Sequence, residues 1–545
     1  MNGKRSMMVP WAAAALALAA APLAAQVPAD AGIFRMYQGT AEIGRETFLE
    51  TGTMLTSPVT IPMAGIRVAS EEVRDASGRG IRLTAHVFRL PADTLVRTYT
   101  AVVDGDSLRM WQQDQGQPAR QWVKAVGPDD FMMQQSMAAA AALVSRARRQ
   151  DRTWHVWLVS ADSLFDVAVA FHGDSAQISI GPQQMAVVIG PDGRVQSFES
   201  AVGRVRVVRQ IGDSLPPLPG MRRPTPDYTA PAGAAYTAEE VRVPARDQQR
   251  DTLSFGCTFT KPRTGGPRFP AAVTITGSGL EDRDENLWPL VPAYRVFRQV
   301  AERLAAEGIA MLRCDDRSFG TSTGHAERAT SMDFARDFEA QLAWLRARAD
   351  VDPARTAVIG HSEGGMIGPL IAARDPRLAA VVVMAGPGKT GLAILRDQAA
   401  WPYLSAPSLD AAERVRLTAD TQHRLESDTA GGPWMRFFRN YDPLPTARRV
   451  RQPVLILQGA LDRQVSAGQA DTLGAAMRAG GNRDVTVRVF PRLNHLFLVS
   501  PTDGSPSEYA SLTDTSVGAD VLDTLATWLR VRLSRPSSPG RGRQR

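Results

Sequence analysis

The chain has 545 residues, of which 44% are hydrophobic and 22% are charged, and its formal net charge is +7. This composition excludes a collagen-like chain, a disulfide scaffold and an intrinsically disordered chain, and the length predicts two or three domains. The excess charge lies at the two ends, with +2 over residues 1–25 and +6 over 530–545, which leaves −1 for the body. We therefore predict no nucleic-acid partner.

The first segment, residues 1–25, has the layout of a secretory signal peptide. Lys4 and Arg5 precede an Ala/Leu run that ends in small residues, which predicts cleavage after Ala25. The apolar run is shorter than the ~20 residues that a membrane span needs. We therefore expect an exported protein, periplasmic or extracellular, without stable membrane insertion. Residues 532–545 are predicted to be a disordered basic tail.

Residues 26–212 are predicted to form an antiparallel β-rich domain. Short runs such as Ile81–Leu90 and Leu95–Val103 alternate apolar and polar side chains, with Asp-Gly and Gly-Asp turn signals between runs. An Ala- and Met-rich stretch at Phe131–Arg149 predicts one helix. The domain contains no chemical motif, and a Pro/Gly-rich linker over 213–235 follows it.

The pattern changes over residues 236–531, where continuous apolar runs alternate with amphipathic helical stretches. Such runs predict a mostly parallel sheet that is covered by helices on both faces. The predicted strands are Ala271–Thr276, Ile309–Cys314, Thr356–Ile359, Ala380–Met384, Val454–Gln458 and Val485–Phe490. The predicted helices are Val291–Glu307, Met332–Arg348, Glu363–Arg374, Gln469–Arg478 and Val521–Arg532.

The two cysteines, Cys257 and Cys314, both lie in segments with strand patterns. Export permits a disulfide, but two buried free thiols are the simpler interpretation and the one that we favour. The sequence has no CxxC motif, and its histidines form no HExxH or HxH pair. We therefore expect neither a metal site nor a cofactor.

Two matches to G-x-S-x-G occur, centred on Ser322 and Ser362. In a nucleophile elbow the chain turns sharply from strand to helix, so the flanking residues must be glycine, here Gly360 and Gly364. Ser362 has an apolar strand directly before it and a small-residue helix directly after it. Ser322 follows a polar stretch, so we predict a structural loop role for it and a nucleophilic role for Ser362.

A serine nucleophile needs a base, and the base needs an orienting acid. Asp462 follows the predicted strand Val454–Gln458, and His495 follows the next one, Val485–Phe490. Because the carboxyl ends of parallel strands meet at one edge of the sheet, we expect Ser362, Asp462 and His495 to converge there. Their order along the chain is that of α/β hydrolases.

The negative charge on an attacked carbonyl oxygen needs hydrogen-bond donors, usually two backbone N–H groups. The first is predicted to be that of Glu363, the residue after the nucleophile. The second is predicted in the glycine-containing loop after the strand Ala271–Thr276, at Ser278 or Gly279. An ordinary Gly-rich turn is the alternative interpretation of this loop.

Residues 236–531 resemble bacterial α/β-hydrolase esterases of the serine-aminopeptidase-like or cinnamoyl-esterase-like group. Besides GHSEGG, the resemblance rests on the segments GSGLEDRDE (277–285), DDRSFGTSTG (315–324), WMRFFRNYDP (434–443) and GALDRQV (459–465). It implies an α/β-hydrolase fold and a carboxylic ester hydrolase that uses Ser362, Asp462 and His495 on a small-molecule ester. The family usually has glycine after Asp-Asp-Arg, where this chain has Ser318.

Five charged residues in these segments are expected to form ion pairs and brace loops: Asp282, Arg283, Asp284, Asp315 and Arg317. The long connection between Ala380–Met384 and Val454–Gln458 predicts a helical cap at about 388–450. Aromatic side chains in the cap are expected to line a substrate pocket or to pack the cap helices on the core. They are Trp401, Tyr403, Trp434, Phe437, Phe438 and Tyr441.

Two other functions stay open at this point. A peptidase would use the same triad with an acid for the free α-amine of its substrate, for which the cap offers Glu426 and Asp428. A non-catalytic binding protein would rely on the β-rich domain instead. The sequence predicts neither the physiological substrate nor the oligomeric state.

Overall fold

The computed structural model describes residues 30–210 and 225–534, with short gaps inside these ranges. The gaps are 40, 52, 63–64, 76–78, 91–92, 128–129, 134–135, 148, 160–162, 174, 181–182, 201–204, 249–250, 288–290, 292, 406–409 and 428–431. The predicted signal peptide, most of the linker and the tail beyond residue 534 lie outside the described residues. No helix in the described part of the chain is long and apolar enough to cross a membrane.

Residues 30–210 form a large β-rich sheet, as expected. Its strands are β1 (Asp30–Gln38), β2 (Ala41–Thr51), β3 (Met54–Ile61), β4 (Ile66–Arg74), β5 (Gly80–Arg89), β6 (Thr94–Asp104), β7 (Ser107–Asp114), β8 (Arg120–Ala125), β9 (Phe131–Met133), β10 (Arg152–Leu158), β11 (Ser163–His172), β12 (Ser175–Ile180), β13 (Gln183–Ile189), β14 (Val195–Ser200) and β15 (Val205–Gln210). The strand order is β8-β7-β6-β5-β4-β3-β2-β1-β15-β14-β13-β12-β11-β10-β9. Neighbouring strands are antiparallel except β9 and β10, which are parallel.

The helix that follows β9 is shorter than the sequence predicts. Helix α1 spans Met137–Arg146, whereas Phe131–Met133 forms strand β9. Ser136 sets the beginning of the helix, because its side chain accepts a hydrogen bond from the Ala139 N–H at 3.0 Å. The run of alanines in α1 is buried and packs against one half of the sheet.

Residues 236–532 form an eight-stranded sheet with helices. The strands are β16 (Tyr236–Arg246), β17 (Thr252–Pro262), β18 (Phe269–Ile275), β19 (Ala310–Cys314), β20 (Val351–His361), β21 (Ala380–Met384), β22 (Val454–Gly459) and β23 (Val485–Phe490). The helices are α2 (Val296–Ala306), α3 (Ser331–Ala347), α4 (Glu363–Ala372), α5 (Gly391–Leu404), α6 (Ala411–Ser427), α7 (Pro433–Asn440), α8 (Leu444–Ala447), α9 (Gly468–Ala479) and α10 (Ala519–Arg532).

The sheet order is β16-β17-β19-β18-β20-β21-β22-β23. The last six strands in this order, from β19 and β18 to β23, are parallel to one another. Both faces are buried, because α3, α4 and α9 pack on one side and α2 and α10 on the other. This arrangement confirms the predicted α/β-hydrolase fold, in which a doubly covered parallel sheet presents its carboxyl edge to the site. Helices α5–α8 lie between β21 and β22, where the cap is predicted.

The cysteines are paired, so our preference for two free thiols is wrong. Cys257 and Cys314 form a disulfide, and their Cα atoms are 4.0 Å apart. The reason is the strand order: β17 pairs antiparallel with β19, and these two residues lie directly opposite each other. Residues 57 positions apart in the chain are thereby brought within bonding distance.

Candidate active site

The turn between β20 and α4 is a strained elbow that projects Ser362. The backbone of Ser362 has φ 53° and ψ −117°, a conformation that residues other than glycine rarely adopt. The flanking glycines are required by close backbone contacts. A Cβ at Gly360 would lie 2.0 Å from the Gly364 carbonyl oxygen, and one at Gly364 would lie 2.1 Å from the Ile275 carbonyl oxygen.

Ser362, His495 and Asp462 form one hydrogen-bonded chain at the carboxyl edge of the sheet. The distance from Ser362 Oγ to His495 Nε2 is 3.0 Å, and that from His495 Nδ1 to Asp462 Oδ2 is 2.8 Å. A carboxylate can only accept, so Nδ1 carries the proton and Nε2 is free to accept the serine proton. The imidazole and the carboxylate are both buried.

Asp462 is fixed by more than the histidine. Its Oδ1 accepts the N–H groups of Gln464 and Val465, both at 2.8 Å, and its Oδ2 also accepts the Gln458 amide at 2.7 Å. These contacts orient the carboxylate in the turn after β22. Two of the donors belong to the loop sequence GALDRQV itself, and the third, Gln458, lies at the end of the predicted strand.

A second buried pair lies behind the triad. His361 Nδ1 is 2.5 Å from Glu285 Oε1, and its Nε2 is 2.9 Å from the carbonyl oxygen of His495. Burial lowers the pKa of His361, but the Glu285 carboxylate more than offsets this, so the pKa is raised. Both ring nitrogens are occupied, so His361 is not free to act as the base for Ser362. The pair holds the backbone of His495, and sequence reasoning assigned Glu285 no role.

The predicted oxyanion loop lies beside the nucleophile, with Gly277 nearest to it among its glycines. A Cβ at Gly277 would be 3.4 Å from Ser362 Cβ, whereas one at Gly279 would meet nothing within 4 Å. The Gly277 N–H donates to Glu281 Oε2 at 3.0 Å, which leaves Ser278 and Gly279, both exposed, as the candidate donors of the loop. Glu363 begins α4, so its N–H has no partner within the helix.

Buried acids line the back of this loop. Asp316 accepts the Thr276 hydroxyl at 2.6 Å and the Glu281 N–H at 3.0 Å. Burial raises the pKa of Asp316 well above its usual value, and burial with repulsion from Glu285 and Asp316 does the same for Glu281. Burial therefore disfavours the charged form of both carboxyls beside the proposed oxyanion loop.

The five charged residues expected to brace loops do so. Arg283 binds Asp315 through Nε at 3.0 Å and through a terminal nitrogen at 2.8 Å. Asp282 accepts the N–H groups of Asp284 and Asn286, and the Asp284 carboxylate pairs with Arg295 and Arg313. Arg317 forms a two-point contact with Asp337 at 2.6 and 2.7 Å.

The loop after β19 contains both Ser318 and the second G-x-S-x-G match. Ser318 has φ 65°, a conformation that glycine adopts freely, which accounts for glycine at this position in the family pattern. Its hydroxyl donates to the Gly324 carbonyl at 2.7 Å and accepts the Ala326 N–H at 2.9 Å. Ser322 Oγ is buried and bridges the Gly256 N–H and the Asp315 carbonyl, each at 2.9 Å, as a structural residue does.

The cap contacts the triad loops through aromatic side chains. Trp434 of α7 donates its indole N–H to Glu363 Oε1 at 2.8 Å, and the guanidinium of Arg463 lies 4.2 Å from the Trp401 ring. Trp434 stacks on Phe438, which packs against Met366 of α4. These cap aromatics therefore pack on the core beside the nucleophile, and sequence reasoning did not foresee the bond from Trp434 to Glu363.

Glu363 predicts a pH-dependent stability. Its buried carboxyl accepts hydrogen bonds from Ser331 at 2.5 Å and from Trp434, yet burial raises its pKa to about 7. In the unfolded chain the Glu363 carboxyl loses its proton at lower pH than in the folded protein. Ionisation of Glu363 therefore favours the unfolded chain, and the free energy of unfolding falls as the pH rises from about 5 to 8. Linkage puts the loss at about 2–3 kcal/mol, and Glu363→Gln should remove it.

Urea unfolding at pH 5 and pH 8 measures this difference. From pH 5 to pH 8 the free energy of unfolding of the wild type should fall by about 2–3 kcal/mol more than that of the Glu363→Gln protein. The control is Glu239→Gln, an exposed glutamate of β16 in the same domain, which should follow the wild-type curve. Parallel curves for the wild type and Glu363→Gln would show that this carboxyl does not titrate between pH 5 and 8.

Comparisons with known proteins agree with this fold. Residues 292–426, which include Ser362, match the family model described as serine aminopeptidase, S33. The chain is 30% identical over 280 residues to esterase EstD of Thermotoga maritima, covering 50% of this chain and 64% of that protein. It is 40% identical over 83 residues to the quorum-quenching protein AidA of Acinetobacter baumannii, covering 15% of this chain and 27% of that protein.

Among solved structures, the chain is similar to the esterase Pf2001 of Pyrococcus furiosus. The TM-score is 0.39 at 14% identity, and the match covers 57% of this chain and 97% of the other. Of the two curated relatives, EstD and AidA, the chain covers less than two thirds of the length. The match to EstD covers half of this chain, and the residues matched by the family model, 292–426, follow the β-rich sheet.

Proposed function

We propose that the C-terminal half of the chain is a bacterial α/β-hydrolase esterase and that the protein hydrolyses carboxylic esters through a covalent acyl-enzyme. The observation that carries the proposal is the chain from Ser362 Oγ through His495 to Asp462, with contacts of 3.0 and 2.8 Å. A serine held in a strained elbow beside a correctly oriented imidazole has the geometry of an activated nucleophile.

In the first step Ser362 Oγ attacks the ester carbonyl carbon while His495 Nε2 takes the hydroxyl proton. Asp462 stabilises the imidazolium that forms and holds Nδ1 as the donor. His495 then gives the proton to the departing alkoxide oxygen, which leaves as an alcohol. In the second step His495 activates a water that attacks the acyl-enzyme, and Ser362 recovers its proton as the acid leaves.

The tetrahedral intermediates carry a negative charge on the former carbonyl oxygen. We assign one stabilising donor to the Glu363 N–H, at the positive end of α4. The second is the N–H of Ser278 or Gly279, in the loop whose Gly277 approaches Ser362.

The substrate is proposed to be a small-molecule ester, and the cap supports this choice over a peptide. A peptidase of this kind needs an acid that is available to hold a free α-amine. Glu426 is exposed and already paired with Arg396, and Asp428 lies outside the described residues.

We further propose that the protein acts outside the cytoplasm, after removal of residues 1–25. The Cys257–Cys314 disulfide supports this proposal, because disulfides persist in oxidising compartments and are rare in the cytosol. We also propose that the β-rich domain ends near residue 212 and that the hydrolase domain begins near residue 236.

A side-by-side assay separates the ester and peptide functions. p-Nitrophenyl esters of increasing acyl length and the p-nitroanilides of alanine and leucine are offered to the full chain at equal concentration. We expect turnover of the esters and no anilide hydrolysis above the Ser362→Ala background. Anilide turnover that exceeds ester turnover at any acyl length would favour the peptidase instead.

A further inference from the structure

The β-rich sheet encloses a cavity of about 840 Å³ between strands β1–β7 and the beginning of α1. This volume lies within the range of sites that hold small molecules. Most of the apolar side chains around it are only half-buried, so they face space that no other part of the sheet fills. They include Met36, Val59, Ile61, Ile66, Val68 and Val87.

The lining is organised as one row across six neighbouring strands. In the order of the strands the row is Glu46, Val59, Val68, Val87, Arg97 and Asp114. Because adjacent strands are about 4.8 Å apart, the three valines provide an apolar floor roughly 10–15 Å long. A polar group stands at each end of that floor, which is the layout of a site for an elongated amphiphile.

The Glu46 end is closed by hydrogen bonds within the protein. The carboxyl of Glu46 is fully buried and accepts the Ser57 hydroxyl at 2.6 Å and the N–H groups of Met137 and Ala138 at 2.7 and 3.0 Å. Its oxygens are thus occupied in anchoring α1 to the sheet. This end is suited to an apolar terminus of a ligand and not to a charged group.

The opposite end is open and carries a positive charge that lacks a partner. Arg97 is neutralised by its contact with Asp114 and also donates to the Tyr99 hydroxyl at 3.0 Å. Arg89 lines the same cavity from β5, opposite Ile66, and is exposed. Within the described ranges the Arg89 guanidinium has no ion-pair partner, so an anion at this end would meet an unpaired cation.

We propose that this cavity binds a monoanionic amphiphile, a carboxylic acid with an unbranched apolar chain. The chain lies along the valine row towards Glu46, and the carboxylate pairs with Arg89 at the open end. Burial of the chain against half-exposed apolar side chains supplies most of the affinity, and the ion pair orients the ligand. The site belongs to the β-rich domain and does not depend on the esterase activity.

The test is calorimetric titration of the full chain with dodecanoate and, separately, with 1-dodecanol. We expect one dodecanoate site, weaker binding of the alcohol, and about 10-fold weaker dodecanoate binding in Arg89→Gln. The matched control is Arg82→Gln, an exposed arginine on the other face of the same strand, which should bind as the wild type does. In Arg89→Gln dodecanoate should bind no more tightly than 1-dodecanol.

A second variant tests the position of the chain. Val87→Phe places a ring at the end of the valine row that adjoins Arg97, on the same strand as Arg89, and should abolish binding of both compounds, with ester hydrolysis retained. Absence of dodecanoate binding to the wild type would overturn the proposal. Equal dodecanoate affinity in Arg89→Gln, Val87→Phe and Arg82→Gln would also overturn it, because the fatty acid would then bind elsewhere, such as at the hydrolase site.

Discussion

The Ser362→Ala protein is expected to hydrolyse p-nitrophenyl esters at least about 10⁴-fold more slowly in kcat than the wild type. The change removes the only atom that forms the acyl bond and leaves the elbow backbone intact, since alanine keeps the Cβ already present at φ 53°. The residual rate should come from the oxyanion donors alone. Steady-state kinetics at saturating ester, with thermal unfolding as a check of folding, measures the effect.

Ser322→Ala is the matched control for this prediction. Ser322 lies in the other G-x-S-x-G match, and its hydroxyl bridges two backbone groups of the hydrolase domain. Its loss should cost about 1–3 kcal/mol of stability, because a buried N–H and a carbonyl lose their partner, while kcat stays near the wild-type value. If Ser362→Ala kept the wild-type kcat, or if Ser322→Ala lost as much kcat as Ser362→Ala, the assignment of Ser362 as the nucleophile would be wrong.

The second large effect is expected for Asp462→Asn, with a loss of about 10⁴-fold in kcat. The asparagine must keep its oxygen towards the Gln464 and Val465 N–H groups, so its amide N–H₂ faces His495 Nδ1. The imidazole then carries its proton on Nε2 and cannot accept the proton of Ser362. Substrate binding should change little, so the loss should appear in kcat more than in KM.

Asp442→Asn serves as the control for the acid. Asp442 is exposed in the cap and accepts the Leu444 N–H at 2.9 Å, a contact that asparagine can also make. It should retain wild-type kinetics and stability. If Asp462→Asn retained more than a tenth of the wild-type kcat, another acid would have to orient His495.

The parallel sheet and the triad could be read from the sequence because their signals are local. Strands β21 and β23 begin and end at the residues predicted from their apolar runs, Ala380–Met384 and Val485–Phe490. Each triad residue lies within five residues of the end of a strand, and parallel strands bring their carboxyl ends to one edge. The convergence of Ser362, Asp462 and His495 therefore needed only the order of strands and loops.

Features that depend on pairing between distant segments were not predictable in this way. The Cys257–Cys314 disulfide follows from the register of β17 against β19, and the sequence pattern of either strand does not contain that register. His361 and Glu285 are 76 residues apart, and Trp434 reaches Glu363 from the cap over 71. In the β-rich domain, alternation predicted the strands but not the cavity, because the curvature of a sheet is a property of all its strands together.

The most direct test of the account is covalent labelling of the full chain with a fluorophosphonate, followed by peptide mapping. The reagent reacts with a serine only where a base and an oxyanion site activate it. The account predicts one adduct, on Ser362, together with complete loss of ester hydrolysis and no label in Asp462→Asn over the same time. No adduct, or an adduct on another residue such as Ser322 with hydrolysis lost, would contradict it.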